Sequence, residues 1–339
     1  MIAREALDAR TVFGGGLLRG MYGLGRMRYR TDAARTVGWA AWGAWLSLRA
    51  MTTPFARRRP LTSVATLWAW EIWRRSVHRP VVVTLPEGSR IVCPPWSRLA
   101  SSLISEGFPE PATALFVLDL VRPGDRFIDV GANVGLYSIL AARRGARVMA
   151  FEPIERCRDA MVRGAELNGV LGAIAECPCA LAETSGRAFL TTNRDISDTL
   201  VDATDDLTLA ERMSAVVVEV RTLDRTVARF RPAIVKIDAG AAGRRVLEGA
   251  ERTILASRPA IVIDVWHGGA EARAWLEQRG YGIYGYASAR RELEPVPPGD
   301  DRHTTWIAVH RDEVRATRER LRLAEPLALH EPRVDWLGA

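Results

Sequence analysis

Lysine is nearly absent from this chain. Of 47 basic residues in 339, 46 are arginine and one is lysine, at position 236. Arginine- and alanine-rich usage of this kind points to a GC-rich coding sequence. A lysine that survives it either marks a place where a compact, titratable ammonium is needed or is a leftover, and composition leaves both open. Cysteine is also sparse: Cys93, Cys157, Cys177 and Cys179 form no CxxC pair. This excludes a zinc ribbon or a disulfide framework and leads to the expectation of reduced, mostly buried thiols. Long apolar runs are missing too. The longest uncharged stretch of the first 80 residues, Thr36 to Leu48, has 13 residues, short of the ~20 that span a bilayer. The opening Met1-Ile2-Ala3-Arg4-Glu5 does not read as a secretory signal. The expected location is therefore cytoplasmic, with peripheral attachment to a membrane left open.

A basic excess is missing from most of the chain. Residues 1–80 carry 14 Arg against Glu5, Asp8, Asp32 and Glu71, a net +10; since the whole chain is +7, residues 81–339 sum to −3. Basicity confined to one arm gives no reason to expect a nucleic-acid partner. That arm also holds six of the eleven Trp. Trp39, Trp42 and Trp45 share a helix face, Thr62 to Arg75 reads as a second helix, and Arg57-Arg58-Arg59-Pro60 links them. The aromatic stripe packs on the rest of the protein or on a second copy, or it lies on an anionic membrane; both readings stand.

Beyond residue 80 the pattern changes. A short β region (81–98) turns at Pro86-Glu87-Gly88-Ser89, and Pro111 opens a helix that stops before Pro123-Gly124. Strands at 126–130, 147–151 and 173–177 then alternate with helices at 134–143 and 156–168, the signature of a parallel sheet wound with helices. A hairpin (187–191 with 216–221) and an acidic loop, Asp195 to Asp206, interrupt the alternation. It resumes with strand 233–238, helix 244–255, strand 260–265, helix 270–279 and two closing strands near 282–286 and 304–309. A charged helix from Arg311 to Leu323 reads as a solvated surface helix and runs into a Pro-punctuated tail. Three regions result: an arm (1–80), an α/β domain (81–310) and a C-terminal helix and tail (311–339).

The chemistry concentrates in Phe127-Ile128-Asp129-Val130-Gly131-Ala132-Asn133-Val134-Gly135 and Phe151-Glu152-Pro153. An apolar strand turns sharply into a helix. Gly131 and Gly135 allow close backbone approach, and Asn133 tolerates left-handed dihedrals. Asp129 places a carboxylate where a dinucleotide's pyrophosphate would lie; it repels phosphate and suits a cationic aminoacyl sulfonium. Glu152 ends the second strand, 23 positions after Asp129, about the spacing at which an acid receives ribose hydroxyls. This points to S-adenosylmethionine and disfavours NAD. Ligands in such sheets sit outside the carboxyl ends of strands, where Asp238 and Asp264 also fall. Lys236 and Asp238 share a strand face. Asp238 is the first candidate for general base or acceptor-orienting carboxylate, and Lys236 either polarises the acceptor or pairs with Asp238. Asp238 with Asp264 is thin grounds for a cation site, so no metal is expected, and His267 reads as a rim residue.

These motifs, with Gly107-Phe108-Pro109-Glu110-Pro111, Pro123-Gly124-Asp125, Leu167-Asn168, Ala180-Leu181, Thr222-Leu223-Asp224 and Lys236-Ile237-Asp238, resemble the FkbM-type methyltransferase family in order and spacing. The resemblance covers about half the chain and implies a seven-stranded, doubly wound, Rossmann-like class I methyltransferase sheet. The arm then stands as an N-terminal helical extension. The resemblance also implies S-adenosylmethionine as cofactor and a hydroxyl of a small natural product or glycan as acceptor. The chain departs from the family after Asp238: Ala239-Gly240-Ala241-Ala242-Gly243 replaces a segment with acidic residues at 240 and 243, and Asp264 stands where Glu is usual. The departure motivates a second reading, a cofactor-binding protein that has lost transfer and acts as a partner or scaffold.

Overall fold

The computed structural model of the protein describes residues 47–48, 60–97, 99–191, 200–202, 215–227, 229–265, 269–300 and 303–336. The Trp39–Trp45 stripe, the arginine linker, most of the acidic loop and His267 lie outside the described residues.

The first described helix, α1 (Pro60–Ser76), precedes a hairpin of β1 (Val81–Thr84) and β2 (Arg90–Cys93), then α2 (Leu99–Glu106) and α3 (Pro111–Leu120). Pro111 stands at the first helical position of α3, where its missing N–H costs nothing. Next come β3 (Arg126–Val130), α4 (Leu136–Arg143), β4 (Arg147–Phe151), α5 (Glu155–Leu167) and β5 (Ile174–Cys177). A small sheet interrupts, with β6 (Ala180–Leu181), β7 (Gly186–Thr191), β8 (Leu200–Asp202) and β9 (Ala215–Arg221). The main sheet resumes with β10 (Ile234–Ile237), α6 (Gly243–Glu248), α7 (Glu251–Ser257), β11 (Ala260–Asp264), α8 (Gly269–Gln278), β12 (Tyr281–Ala287), β13 (Glu292–Pro295) and β14 (Thr305–His310). The chain closes with α9 (Val314–Arg322) and β15 (Arg333–Asp335).

The main sheet has the order β13-β12-β14-β11-β10-β3-β4-β5. The five strands from β11 to β5 are parallel, and β14, β12 and β13 run antiparallel to their neighbours. Seven of these strands are those expected; β13 adds an eighth at the edge. From β3 the chain winds outward one way to β5, then returns to β10 and winds the other way. The switch point between β3 and β10 opens a crevice at the carboxyl ends of the strands. β3 is buried on both faces, as a central parallel strand must be. Phe127 joins a core with α3 and α4, while Ile128 and Val130 join one with α6, α7 and α8.

Three details go beyond the reading of the sequence. The helix expected at 244–255 is two helices, because Asp224 caps the start of α7: its Oδ2 accepts from the Arg252 N–H at 2.9 Å and its Oδ1 from the Thr253 N–H at 2.8 Å. The C-terminal tail is not a solvated appendage. β15 pairs antiparallel with β1, with Val334 opposite Val83, and Trp336 packs 5.5 Å from Trp73 of α1. Finally, α1 is built into the main core through Leu67 and Trp70, and its buried Glu71 is held by Arg74, Arg75 and the Ser101 hydroxyl.

Candidate active site

The turn after β3 is made by three residues with positive φ: Gly131 at 73°, Asn133 at 51° and Gly135 at 83°. The two glycines do different work. A Cβ on Gly131 would lie 2.0 Å from the Asp238 carbonyl oxygen, so the turn and the segment after β10 meet backbone to backbone. A Cβ on Gly135 would lie 2.4 Å from Met161 Cγ, so this glycine serves the packing of α4 on α5. Asn133 takes the left-handed conformation its residue type favours, and its Oδ1 is buried without a hydrogen-bond partner.

Glu152 follows β4 with its carboxylate fixed by backbone. Oε2 accepts from the Asn133 N–H at 2.8 Å and Oε1 from the Ile154 N–H at 2.9 Å. Gly131, Asn133, Glu152 and Asp238 line one cleft of about 930 Å³, part of it open to solvent. Trp96 and Arg156 stand on its wall, the guanidinium 4.5 Å over the indole. Ala239, Gly240 and Ala242 also line it, so no side chain longer than a methyl follows Asp238 there. Cys157 and Cys179 border the cleft outside any disulfide, and burial pushes Cys179 up to about 11.

Asp129 lies beneath the turn and does not line the cleft. Its Oδ2 accepts from the Ser138 hydroxyl at 2.7 Å, while its buried Oδ1 has no hydrogen-bond partner. Burial raises its pKa, opposed by the Lys236 charge and the Ser138 hydrogen bond. Lys236 sits in register with Asp129 on the neighbouring strand. Its Nζ donates to Asp238 Oδ2 at 3.0 Å and stands 4.7 Å above the Tyr137 ring. Burial opposes the ammonium, but the charges of Asp238, Asp129 and Glu110 outweigh it and raise the Lys236 pKa. Asp238 has a side chain 44% exposed, so it alone of this group reaches both the buried lysine and the open cleft. Asp264 ends β11 opposite Thr305 and does not line the cleft. Among the described residues, no group of three or more His, Cys, Asp or Glu side chains is arranged to hold a metal ion.

Two participants were not assigned from sequence. Glu110 and Tyr137 join the lysine cluster, the tyrosine hydroxyl donating to Glu110 Oε2 at 3.2 Å. The available signal was the placement of Glu110 between two prolines just before an apolar helix, which carries no role by itself.

Sheet order, switch-point cleft and acidic strand ends together define a doubly wound, Rossmann-like class I methyltransferase fold. Residues 129–283 match the model of the methyltransferase FkbM domain. The likeness to that family covers just under half of the chain. Methyltransferase sdnD of Sordaria araneosa is 27% identical over 195 residues, 48% of this chain and 75% of that protein. Among solved structures, an FkbM methyltransferase from Methylobacillus flagellatus is 14% identical with a TM-score of 0.38; the match covers 73% of this chain and 59% of that one. A precorrin-6y C5,15-methyltransferase from Geobacter metallireducens is 15% identical with a TM-score of 0.33, covering 59% of this chain and 86% of that one.

Proposed function

We propose that the protein transfers a methyl group from S-adenosylmethionine to a hydroxyl of a small natural product or glycan. One observation carries this reading: across a single cleft, an amide-fixed Glu152 faces the half-exposed carboxylate of Asp238, and Gly131 brings the two segments together. The donor set suits the cofactor. Glu152 offers acceptor oxygens for ribose hydroxyls, and Asn133, which lines the cleft, carries a buried Oδ1 without a hydrogen-bond partner that a donor-bearing ligand would satisfy. When bound, the cofactor supplies an electrophilic methyl on a cationic sulfonium. The chain's own task is alignment and exclusion of water. Lys236 holds Asp238 Oδ2 in place, and the Asp238 carboxylate orients the acceptor hydroxyl and takes up its proton.

The Ala–Gly floor after Asp238 motivates one alternative to be tested, binding without transfer. Calorimetry with S-adenosylhomocysteine and mass spectrometry of a hydroxyl panel separate the two. Binding with a methylated product supports transfer, and binding without any product supports the scaffold reading. No binding ends both. Glu152→Gln keeps the size but loses the charge, and is expected to weaken cofactor binding at least about tenfold.

The N-terminal arm is proposed as a peripheral membrane or self-association element because of its charge and its tryptophans. No helix among the described residues is long and apolar enough to cross a membrane.

A further inference from the structure

We propose that Glu110 belongs to the methyl-transfer site as a positioning residue. Through Tyr137 it sets Lys236, and through Lys236 it sets Asp238, providing negative charge near a segment that has none between Ala239 and Gly243. The inference rests on the reading of Asp238 as the acceptor-side carboxylate.

Glu110 occupies the N-cap position of α3, yet its side chain makes no capping hydrogen bond. Capping is the ordinary reason for an acid at this place, and the structure removes it. The carboxylate is instead turned to Tyr137, accepting from its hydroxyl at 3.2 Å. The ring of that tyrosine carries the Lys236 ammonium 4.7 Å from its centre, and the ammonium reaches Asp238 at 3.0 Å. A cation over a tyrosine face is held by the ring's quadrupole, so fixing the hydroxyl fixes the face. The charged and titratable groups turned to Lys236 come from four places: Asp129 on β3, Tyr137 on α4, Glu110 before α3, and Asp238 after its own strand. Three carboxylates thus share one buried ammonium. Burial and the Asp238 charge both raise the Glu110 pKa, against the pull of Lys236, the Thr305 hydroxyl and Tyr137, so this carboxyl is held at a cost. A half-buried carboxyl kept without a capping role is explained if its charge serves the lysine.

The single lysine makes the test direct. Full-length protein carrying lysine labelled with carbon-13 and nitrogen-15 at the ε position gives one side-chain NMR signal, that of Lys236. In wild type this signal is expected to stay protonated beyond the range of a free lysine. Glu110→Gln should lower its midpoint by about one pH unit or more, the effect of an opposite charge at this range. Tyr137→Phe, which keeps the ring and loses the hydroxyl, should displace the signal by a smaller amount, and Glu110→Asp should restore part of the shift. S-adenosylhomocysteine affinity should change less than about twofold in Glu110→Gln, since this residue does not line the cofactor cleft. A Lys236 signal that is the same in wild type and both Glu110→Gln and Tyr137→Phe would overturn the proposal. If the Gln variant does not fold, Tyr137→Phe decides alone. Failure of the cofactor reading looks different: wild type then binds no S-adenosylhomocysteine, whatever the lysine signal does.

Discussion

The backbone of Asp238 occupies the space where a side chain on Gly131 would begin, 2.0 Å from the ideal Cβ position. The first turn of the nucleotide-type crevice and the acceptor-side loop are therefore one contact, made of main chain on both sides. Asp238 N–H also donates to Val130 O at 2.9 Å, which ties the same two segments.

Gly131→Ala is expected to break this contact. The substitution meets backbone, which cannot swing away, and it forces a non-glycine residue to hold a φ of 73°. A loss of at least about 2 kcal/mol in urea unfolding is expected, with loss of cofactor binding. An alanine variant with wild-type stability and affinity would show that the two segments do not meet in solution.

Asp129→Asn should stabilise the cofactor-free protein at neutral pH. The carboxyl has a raised pKa in the folded state, mainly from burial. Its contribution favours folding below the ordinary carboxylate range and is lost as pH rises through the folded value, so at neutral pH the carboxyl group is a cost. Thermal melts should place the variant above wild type at pH 7, with the gap narrowing near pH 4. A variant that melts lower at pH 7, or a gap that widens in acid, would contradict the assignment.

Tyr286→Phe tests how β12 is anchored. The phenol of Tyr286 donates to the buried Asp119 Oδ2 at 2.5 Å, and its ring packs edge-on against Phe116, 5.4 Å between centroids. Removing the hydroxyl leaves a buried carboxylate one donor short and should cost about 1–3 kcal/mol in chemical denaturation. The cofactor cleft does not include these residues, so affinity for S-adenosylhomocysteine should hold.

For the arm, full-length protein should sediment with anionic vesicles more than a form lacking residues 1–59, and added salt should weaken the association. Equal sedimentation of both forms would leave self-association, readable as a change in oligomeric state.

Much of the winding of the sheet was legible because its signals are local. Apolar runs of about five residues separated by amphipathic stretches locate β3, β4, β10 and β11, and Gly-x-Asn-x-Gly locates the turn. Residues that act through distant partners were not legible. The break between α6 and α7 depends on Asp224, 27 positions before Glu251, and the pairing of β15 with β1 joins opposite ends of the described chain. Neither leaves a periodic trace. Gly135 shows the limit in small: a close approach there was readable, whereas what approaches it, the Met161 side chain, was not.

Backbone preference and hydrophobic period, which act over a few residues, suffice to establish a parallel α/β sheet, a sharp turn after β3 and acids at strand ends. Which of those acids meet the cleft is a matter of burial and neighbours. Folding puts Glu152 and Asp238 on the wall, sinks Asp129 beneath the turn, leaves Asp264 outside, and gathers Glu110 and Tyr137 around the single lysine. The charge of a carboxylate is written in its residue type, but its role depends on the distance to its partners and on its access to water, and these exist only once the chain has packed.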